Sequence, residues 1–102
     1  MNSSQAKPLL SYQILFNMDL KELFEQAVSE SKSLSDRPSN DTLLQLYSFY
    51  KQATEGDVNV DPPANPFDFV SKAKYDAWVG LKGKSKEFAM EEYIALIEKL
   101  KQ

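Results

Sequence analysis

Cysteine and histidine are both absent from this chain of 102 residues. Without cysteine there is no disulfide framework and no thiolate to bind a metal or act as a nucleophile. Without histidine the commonest general base and metal ligand is missing, which excludes Ser-His and Cys-His nucleophile pairs. No pair of carboxylates or lysines is arranged for catalysis either. We therefore expect a protein that is not an enzyme, with no catalytic residue, no metal site and no cofactor.

Long apolar runs and an excess of positive charge are lacking as well. No stretch approaches the ~20 apolar residues that a transmembrane helix needs, and the short apolar run after Lys7 lacks the cleavage pattern of a signal peptide. The formal net charge of -3 argues against general nucleic-acid binding. A chain of this length forms one domain. We expect a cytoplasmic monomer with no integral membrane segment and no nucleic-acid partner.

The charged residues are unevenly distributed along the chain. Residues 19–36 carry five carboxylates against two lysines, whereas residues 72–86 carry five lysines against one aspartate. A local positive field on an acidic protein can attract a specific anion. A solvated helix face followed by a basic loop explains the same pattern, and both interpretations stay open.

The apolar residues recur at helical spacing throughout, and no run alternates as a strand would. The first helix is predicted to open at Asp19 with Glu22 completing a capping box, to carry an apolar series that runs from Leu20 to Leu34, and to end before Pro38. The second is predicted to start within Ser39–Asp41, which are good N-cap residues, and to stop at Gly56 in a left-handed conformation. This second helix is apolar over more than one face, which predicts contact with the core and with a second partner, and a ligand is a candidate for that partner.

A proline-rich loop over residues 57–67 separates the second helix from the third. The third helix is predicted to begin near Asp68 and to end at Gly80 or Gly83, and Ser85 is predicted to cap a fourth. Four such helices make a small all-α bundle. The long loop leaves enough chain for the second and third helices to run parallel.

The second helix carries a candidate binding face. Tyr47, Tyr50 and Lys51 stand at i, i+3 and i+4, so two phenols and an ammonium share one side of the helix. Aromatic planes beside a cation suit a ligand with both a nucleobase and phosphates. The alternative is that the two tyrosines are ordinary core residues with polar tips.

Three sequence blocks carry a family resemblance. The stretch from Tyr47 to Asn59 reads Tyr-x-x-Tyr-Lys-Gln-Ala-Thr-x-Gly-Asp-x-Asn, the second block comprises Phe69 and residues 72–78, and the third comprises residues 85–87, 89–90 and 93–94. In order and spacing they resemble the signature of the acyl-CoA-binding proteins, from about Leu20 to Leu100. The resemblance implies a four-helix up-down-down-up bundle over residues 19–102, with residues 1–18 as an N-terminal extension that is flexible or partly helical.

The resemblance also implies a set of ligand-binding residues: Lys32, Tyr47, Tyr50, Lys51, Lys74 and Tyr93. Lys51 and Lys74 would bind phosphate, and Tyr50 would stack on adenine. Lys74 pairing only with Asp76 and Tyr93 serving only in the core are the alternatives. The acyl-chain groove is expected at Leu34, Leu43, Leu44 and the start of the first helix, whereas Trp78 is expected in the core.

The implied function is one-to-one binding of medium- or long-chain fatty acyl-CoA esters by an intracellular carrier and pool former, with acyl-CoA-using enzymes as onward partners. Tyr75, Phe49 and Val70 depart from residues common in the family, where tryptophan, histidine and lysine are frequent. The alternative function is a helical protein-interaction or signalling module that kept the fold. An exposed apolar patch over residues 9–16 that bound a partner would favour it.

Overall fold

The computed structural model describes residues 18–102. Within that range there are four α-helices and no strand. The helices are α1, Leu20–Ser31; α2, Asn40–Glu55; α3, Phe69–Val79; and α4, Lys86–Leu100. The apolar stretch at residues 9–16, and with it nearly all of the expected N-terminal extension, lies outside the described residues.

The helix starts follow the capping residues that the sequence predicts. Asp19 and Glu22 form the predicted capping box: the Glu22 N–H donates to Asp19 Oδ1 over 2.8 Å, and the Asp19 N–H donates to Glu22 Oε1 over 3.2 Å. The hydroxyls of Ser39 and Ser85 and the carboxylate of Asp68 each accept a hydrogen bond from the backbone three residues on. The predicted starts of all four helices are confirmed, and each N-cap satisfies an N–H that has no partner inside its helix.

Two predicted helix ends need correction. Gly56 does end α2 with a positive φ of 80°, but its ψ of -152° lies outside the left-handed helical region. This conformation is almost confined to glycine. The sequence therefore predicted correctly that a glycine with positive φ ends the helix, but the predicted ψ was wrong. The apolar series of the first helix included Leu34, whereas α1 ends at Ser31 with Lys32 as its C-cap. Leu34 therefore lies in the connection to α2.

The contacts between α2 and α3 show that these helices run parallel. The Lys74 ammonium lies 5.4 Å from the centroid of the Tyr47 ring, and the Lys51 ammonium lies 4.9 Å from the Trp78 ring. Both members of the second pair are one helical turn beyond those of the first. The predicted parallel course across the long loop is confirmed.

The other helices complete the topology. The Phe24 ring lies 5.2 Å from that of Tyr93, and Lys101, just after α4, forms a 3.1 Å salt bridge with Glu30, so α1 and α4 are parallel. Phe24 also stacks on Tyr50 in the second half of α2, while the short connection after Ser31 leads to the start of α2. Because α1 and α2 are therefore antiparallel, the bundle is up-down-down-up.

The core lies where α4 packs against both α1 and α2. Its buried side chains are Phe24, Ala27, Leu46, Ala53, Ala89, Tyr93 and Ile97. Helix α3 packs on the other side of α2 and buries Trp78, whose Nε1 donates to the Gly56 carbonyl over 2.9 Å. None of the helices within residues 18–102 combines the length and apolar character required to cross a membrane.

Candidate ligand-binding site

An open groove of about 810 Å³ runs between α2 and α3. Its α2 wall includes Leu43, Leu44, Tyr47 and Tyr50, and its α3 wall includes Phe69, Val70, Ala73 and Lys74. Tyr93 of α4, together with Ser31 and Leu34 near the end of α1, also lines the groove. The volume is that of a typical small-molecule site.

Tyr47 and Lys74 meet across the middle of the groove. The half-buried Tyr47 ring receives the Lys74 ammonium on its face, in a cation–π contact. Lys74 does not pair with Asp76, because the 2.8 Å salt bridge to that carboxylate comes from Lys72. The ammonium of Lys74 therefore remains available beside an aromatic ring.

Tyr50 and Tyr93 belong to one aromatic cluster with Phe24. Their ring centroids lie 6.4 Å apart, and each tyrosine also contacts the Phe24 ring. Tyr93 is only 5% exposed and part of the core, yet it also lines the groove. Its position therefore agrees both with a role in the core and with a place in the binding site. Tyr50 is 40% exposed and lines the groove.

Lys51 lies on the same side of α2 as Tyr47 and Tyr50, but it does not line the groove. Its ammonium forms a salt bridge with Glu55 and sits over Trp78. The hydrogen bond to the Glu55 carboxylate raises the pKa of Lys51, and the same bond lowers the pKa of Glu55. Both groups are therefore charged at neutral pH, and a phosphate would have to share or displace Glu55 to reach this cation.

Lys32, like Lys51, is a predicted site residue that does not line the groove. It is the exposed C-cap of α1 and does not contribute to the lining. It lies two residues before Leu34, which does line the groove.

All three predicted acyl-chain residues line the groove together. Leu34, Leu43 and Leu44 are partly buried and share the end of the groove nearest the start of α2. The start of α1, which was also expected there, does not line this groove, and the part of α1 in the lining is its last residue, Ser31. The reason is the antiparallel packing, which puts the end of α1 beside the start of α2.

Several groove residues were missed by the sequence analysis. Phe69 and Val70 line the groove and are strongly exposed, and Ala73 lies one turn beyond them. Arg37 also borders the groove, with its Nη2 donating to Asn40 Oδ1 over 3.2 Å. The i, i+4 relation of Val70 to Lys74 was a signal that could have found this face.

Two polar residues of the first sequence block serve the fold rather than the groove. Gln52 is fully buried, and its Nε2 donates to Asp57 Oδ1 over 2.9 Å and to the Lys84 carbonyl over 2.8 Å. Asp57 Oδ1 also accepts from the Gly83 N–H over 2.8 Å. The network ties the end of α2 to the loop between α3 and α4.

Metal chemistry finds no support in the part of the chain that the structure describes. Residues 18–102 contain no group of three or more Asp or Glu side chains positioned to hold a metal ion. The groove brings the rings of Tyr47, Tyr50 and Tyr93 and the Lys74 ammonium next to leucines.

An up-down-down-up bundle with such a groove defines a small all-α ligand-binding domain. A sequence model of the family described as acyl CoA binding protein matches residues 21–97. The chain therefore belongs to the acyl-CoA-binding protein family.

Individual relatives agree with this assignment. The acyl-CoA-binding protein of Dictyostelium discoideum is 49% identical over 77 residues, which cover 76% of this chain and 90% of the relative. That of Gossypium hirsutum is 48% identical over 83 residues, covering 81% and 92%. The crystal structure of Oryza sativa acyl-CoA-binding protein 2 superposes with a TM-score of 0.75 at 43% identity, over 80% of this chain and 90% of that one.

Proposed function

We propose that this protein binds medium- or long-chain fatty acyl-CoA esters one to one and acts as a cytoplasmic carrier and pool former. The proposed binding unit is residues 19–102. The observation that carries the proposal is that aromatic rings, ammonium groups and an apolar groove follow one another along the α2–α3 interface. An acyl-CoA presents the matching series of surfaces: a phosphorylated adenosine, a pantetheine arm and a fatty tail.

The nucleotide end of the ligand would bind where the cations and tyrosines converge. Lys51 and Lys74 would make charge-assisted hydrogen bonds to phosphate, and the hydroxyl of Tyr47 would donate another. The exposed ring of Tyr50 would stack on adenine. Tyr93 would contribute the edge of its ring from the core.

Lys32 completes the proposed set as a peripheral cation. It is exposed outside the groove lining, two residues before Leu34. A long side chain at that point can approach a phosphate at the groove opening without being packed in place. We expect its contribution to be the smallest of the three lysines.

The fatty tail would lie against Leu34, Leu43 and Leu44. Each buried methylene contributes about 0.8 kcal/mol, so affinity should rise with chain length until the groove is full. The protein would shield the thioester and release it unchanged to acyl-CoA-using enzymes. No residue is assigned a catalytic role.

Titration calorimetry with palmitoyl-CoA tests the proposal, with free CoA and palmitate as the two fragments of the ligand. We expect tight one-to-one binding of the ester and much weaker binding of either fragment, because both ends are bound together. A folded protein that binds the ester no better than free CoA would contradict the carrier function.

A further inference from the structure

The groove has two positively charged residues in its lining, Lys74 on α3 and Arg37 shortly before α2. Within residues 18–102, no carboxylate contributes to that lining. The proposed function assigns Lys74 to a phosphate of the CoA and leaves Arg37 without a role. In an apolar groove, a few placed polar groups determine which ligand is bound and in which orientation, so the position of Arg37 is informative.

Arg37 and Lys74 lie at different levels along the groove. Helix α2 begins at Asn40, and Tyr47, which receives Lys74, lies about two turns or about 10 Å further along the helix axis. The guanidinium of Arg37 contacts Asn40 and therefore lies at the level of the helix start. The two leucines at residues 43–44 line the groove between these levels. An apolar stretch of groove thus separates the two cations.

The guanidinium of Arg37 is bonded to neutral acceptors. Its Nη2 donates to Asn40 Oδ1 over 3.2 Å, and its Nη1 donates to the Pro38 carbonyl over 3.4 Å. None of the salt bridges within residues 18–102 involves Arg37, and residues 1–17 contain no aspartate or glutamate. A guanidinium has five N–H donors in a fork that matches a carboxylate. Arg37 therefore keeps donors and a charge for an anionic group on a ligand.

We propose that Arg37 binds a carboxylate at the far end of the acyl chain, so that the ligands of this groove include CoA monoesters of dicarboxylic acids. The proposal rests on the proposed binding of acyl-CoA and adds a class of ligand to it. The methylene chain would cross the apolar stretch, and its terminal carboxylate would accept two parallel hydrogen bonds from the guanidinium. A chain that ends in a methyl group would leave Arg37 in water.

The apolar stretch favours a chain-end carboxylate over a phosphate of the CoA as the partner of Arg37. The proposed phosphate cations, Lys51 and Lys74, lie beyond the leucines, beside the tyrosines that suit adenine. A phosphate at Arg37 would take the nucleotide away from those rings. A carboxylate at the end of a methylene chain reaches Arg37 while the nucleotide stays in its proposed place.

The charges around this end of the groove make the contact a short-range one. Asp36 and Asp41 are exposed close to Arg37 in the chain, and Asp68, at the start of α3, is hydrogen-bonded to Ser71. These aspartates offset the positive charges of Arg37 and of Lys32 nearby in the chain. Because there is no excess of positive charge to attract anions from a distance, recognition depends on direct contact with the guanidinium.

The experiment measures dissociation constants for matched pairs of esters that differ only at the chain end: octanoyl- and octanedioyl-CoA, dodecanoyl- and dodecanedioyl-CoA, and hexadecanoyl- and hexadecanedioyl-CoA. Arg37→Gln should leave the methyl-ended esters unchanged. It should weaken the carboxylate-ended ester whose chain reaches Arg37 by about fivefold, the upper end for an exposed ion pair, and less at high salt. Arg37→Lys, which keeps the charge without the fork, should lose less. The control Lys82→Gln, an exposed lysine of the α3–α4 loop, should match the wild type.

Three results would overturn the role of Arg37. Equal losses for both members of every pair would assign it to the CoA or to packing, unchanged binding of all carboxylate-ended esters would leave it without a role in binding, and an equal loss in Lys82→Gln would reduce it to a general effect of charge. A wild type that binds no methyl-ended ester would refute the proposed function. A wild type that binds those esters, with pairs that Arg37→Gln does not separate, would refute only the carboxylate site.

Discussion

The ammonium of Lys74 lies 5.4 Å from the centroid of the Tyr47 ring and thereby joins α3 to α2 across the middle of the groove. One turn further on, Lys51 and Trp78 repeat the contact with the helices exchanged, since the cation now comes from α2. One turn earlier, Leu43 and Val70 replace both polar partners with apolar ones. Over these three helical turns the paired side chains change from charged to apolar, which under the proposed function would give a ligand with one charged and one apolar end a single direction of binding.

Replacing Lys51 with alanine should weaken acyl-CoA binding by about 10- to 100-fold, because a hydrogen bond to a charged group contributes about 1.5–3 kcal/mol. Calorimetry with palmitoyl-CoA measures the loss. Lys72→Ala is the matched control, since Lys72 is an exposed lysine already paired with Asp76. Equal affinities of the two variants would remove Lys51 from the site.

Glu55 should act as an internal competitor for the phosphate at Lys51. The two side chains form a salt bridge, so Glu55→Gln should free the ammonium and tighten binding by roughly two- to fivefold, the range expected for a partly exposed pair. Titrations at low and high salt measure this gain, which should be larger at low ionic strength. Glu92→Gln, an exposed glutamate of α4, is the control, and a weaker complex of Glu55→Gln would show that Glu55 orients Lys51 instead.

Two substitutions of Tyr50 should separate its ring from its hydroxyl. Tyr50→Phe keeps the aromatic plane and should bind nearly as well as the wild type, whereas Tyr50→Ala should lose about 1–3 kcal/mol, the contribution of one base–aromatic stack. Binding is compared between palmitoyl-CoA and a palmitoyl thioester of pantetheine, which lacks adenine. The alanine variant should lose affinity only for the former, and an equal loss for both ligands would mean that it acts through the packing of Phe24.

The network around Asp57 should make stability depend on acidic pH. The hydrogen bond from the Gly83 N–H, followed by that from Gln52, lowers the pKa of Asp57 in the folded protein. The unfolded chain, with an aspartate pKa of about 4, therefore binds the proton more readily. The stability that Asp57 contributes is complete above that value and is lost as the pH falls through the lower folded pKa.

Urea unfolding followed by circular dichroism measures this effect between about pH 2 and pH 7. Asp57→Asn should be less stable than the wild type at neutral pH, and the difference in unfolding free energy should shrink on acidification. Asp61→Asn, in the exposed loop after α2, should show no such trend. A difference between wild type and Asp57→Asn that stays constant over the whole range would contradict the assignment.

The sequence predicted most of the fold because its signals are local. Each helix begins after a residue whose side-chain oxygen can cap it, namely Asp19, Ser39, Asp68 or Ser85. The spacing of apolar residues follows the helical repeat. The conformation of Gly56 could not be obtained this way. Its ψ depends on where Trp78, which donates to the Gly56 carbonyl, lies in the folded chain.

The site was predictable where residues share a helix and less so where two helices meet. Tyr47, Tyr50 and Lys51 could be placed on one face from spacing alone. The position of Lys74 over Tyr47, the preference of Asp76 for Lys72 and the salt bridge of Lys51 depend on packing and rotamers. The exposure of apolar residues such as Phe69 could not be predicted, because it depends on how the helices pack.

The central claim, that the groove fixes the direction of the ligand, is tested most directly by paramagnetic NMR. The protein is titrated with stearoyl-CoA that carries a nitroxide near the end of its acyl chain, and the broadening of each backbone amide signal is measured. The account predicts strong broadening at Leu43, Leu44 and Val70, with the amide of Lys51 far less affected. Strongest broadening at Lys51 and Trp78, with Leu43 spared, would contradict it.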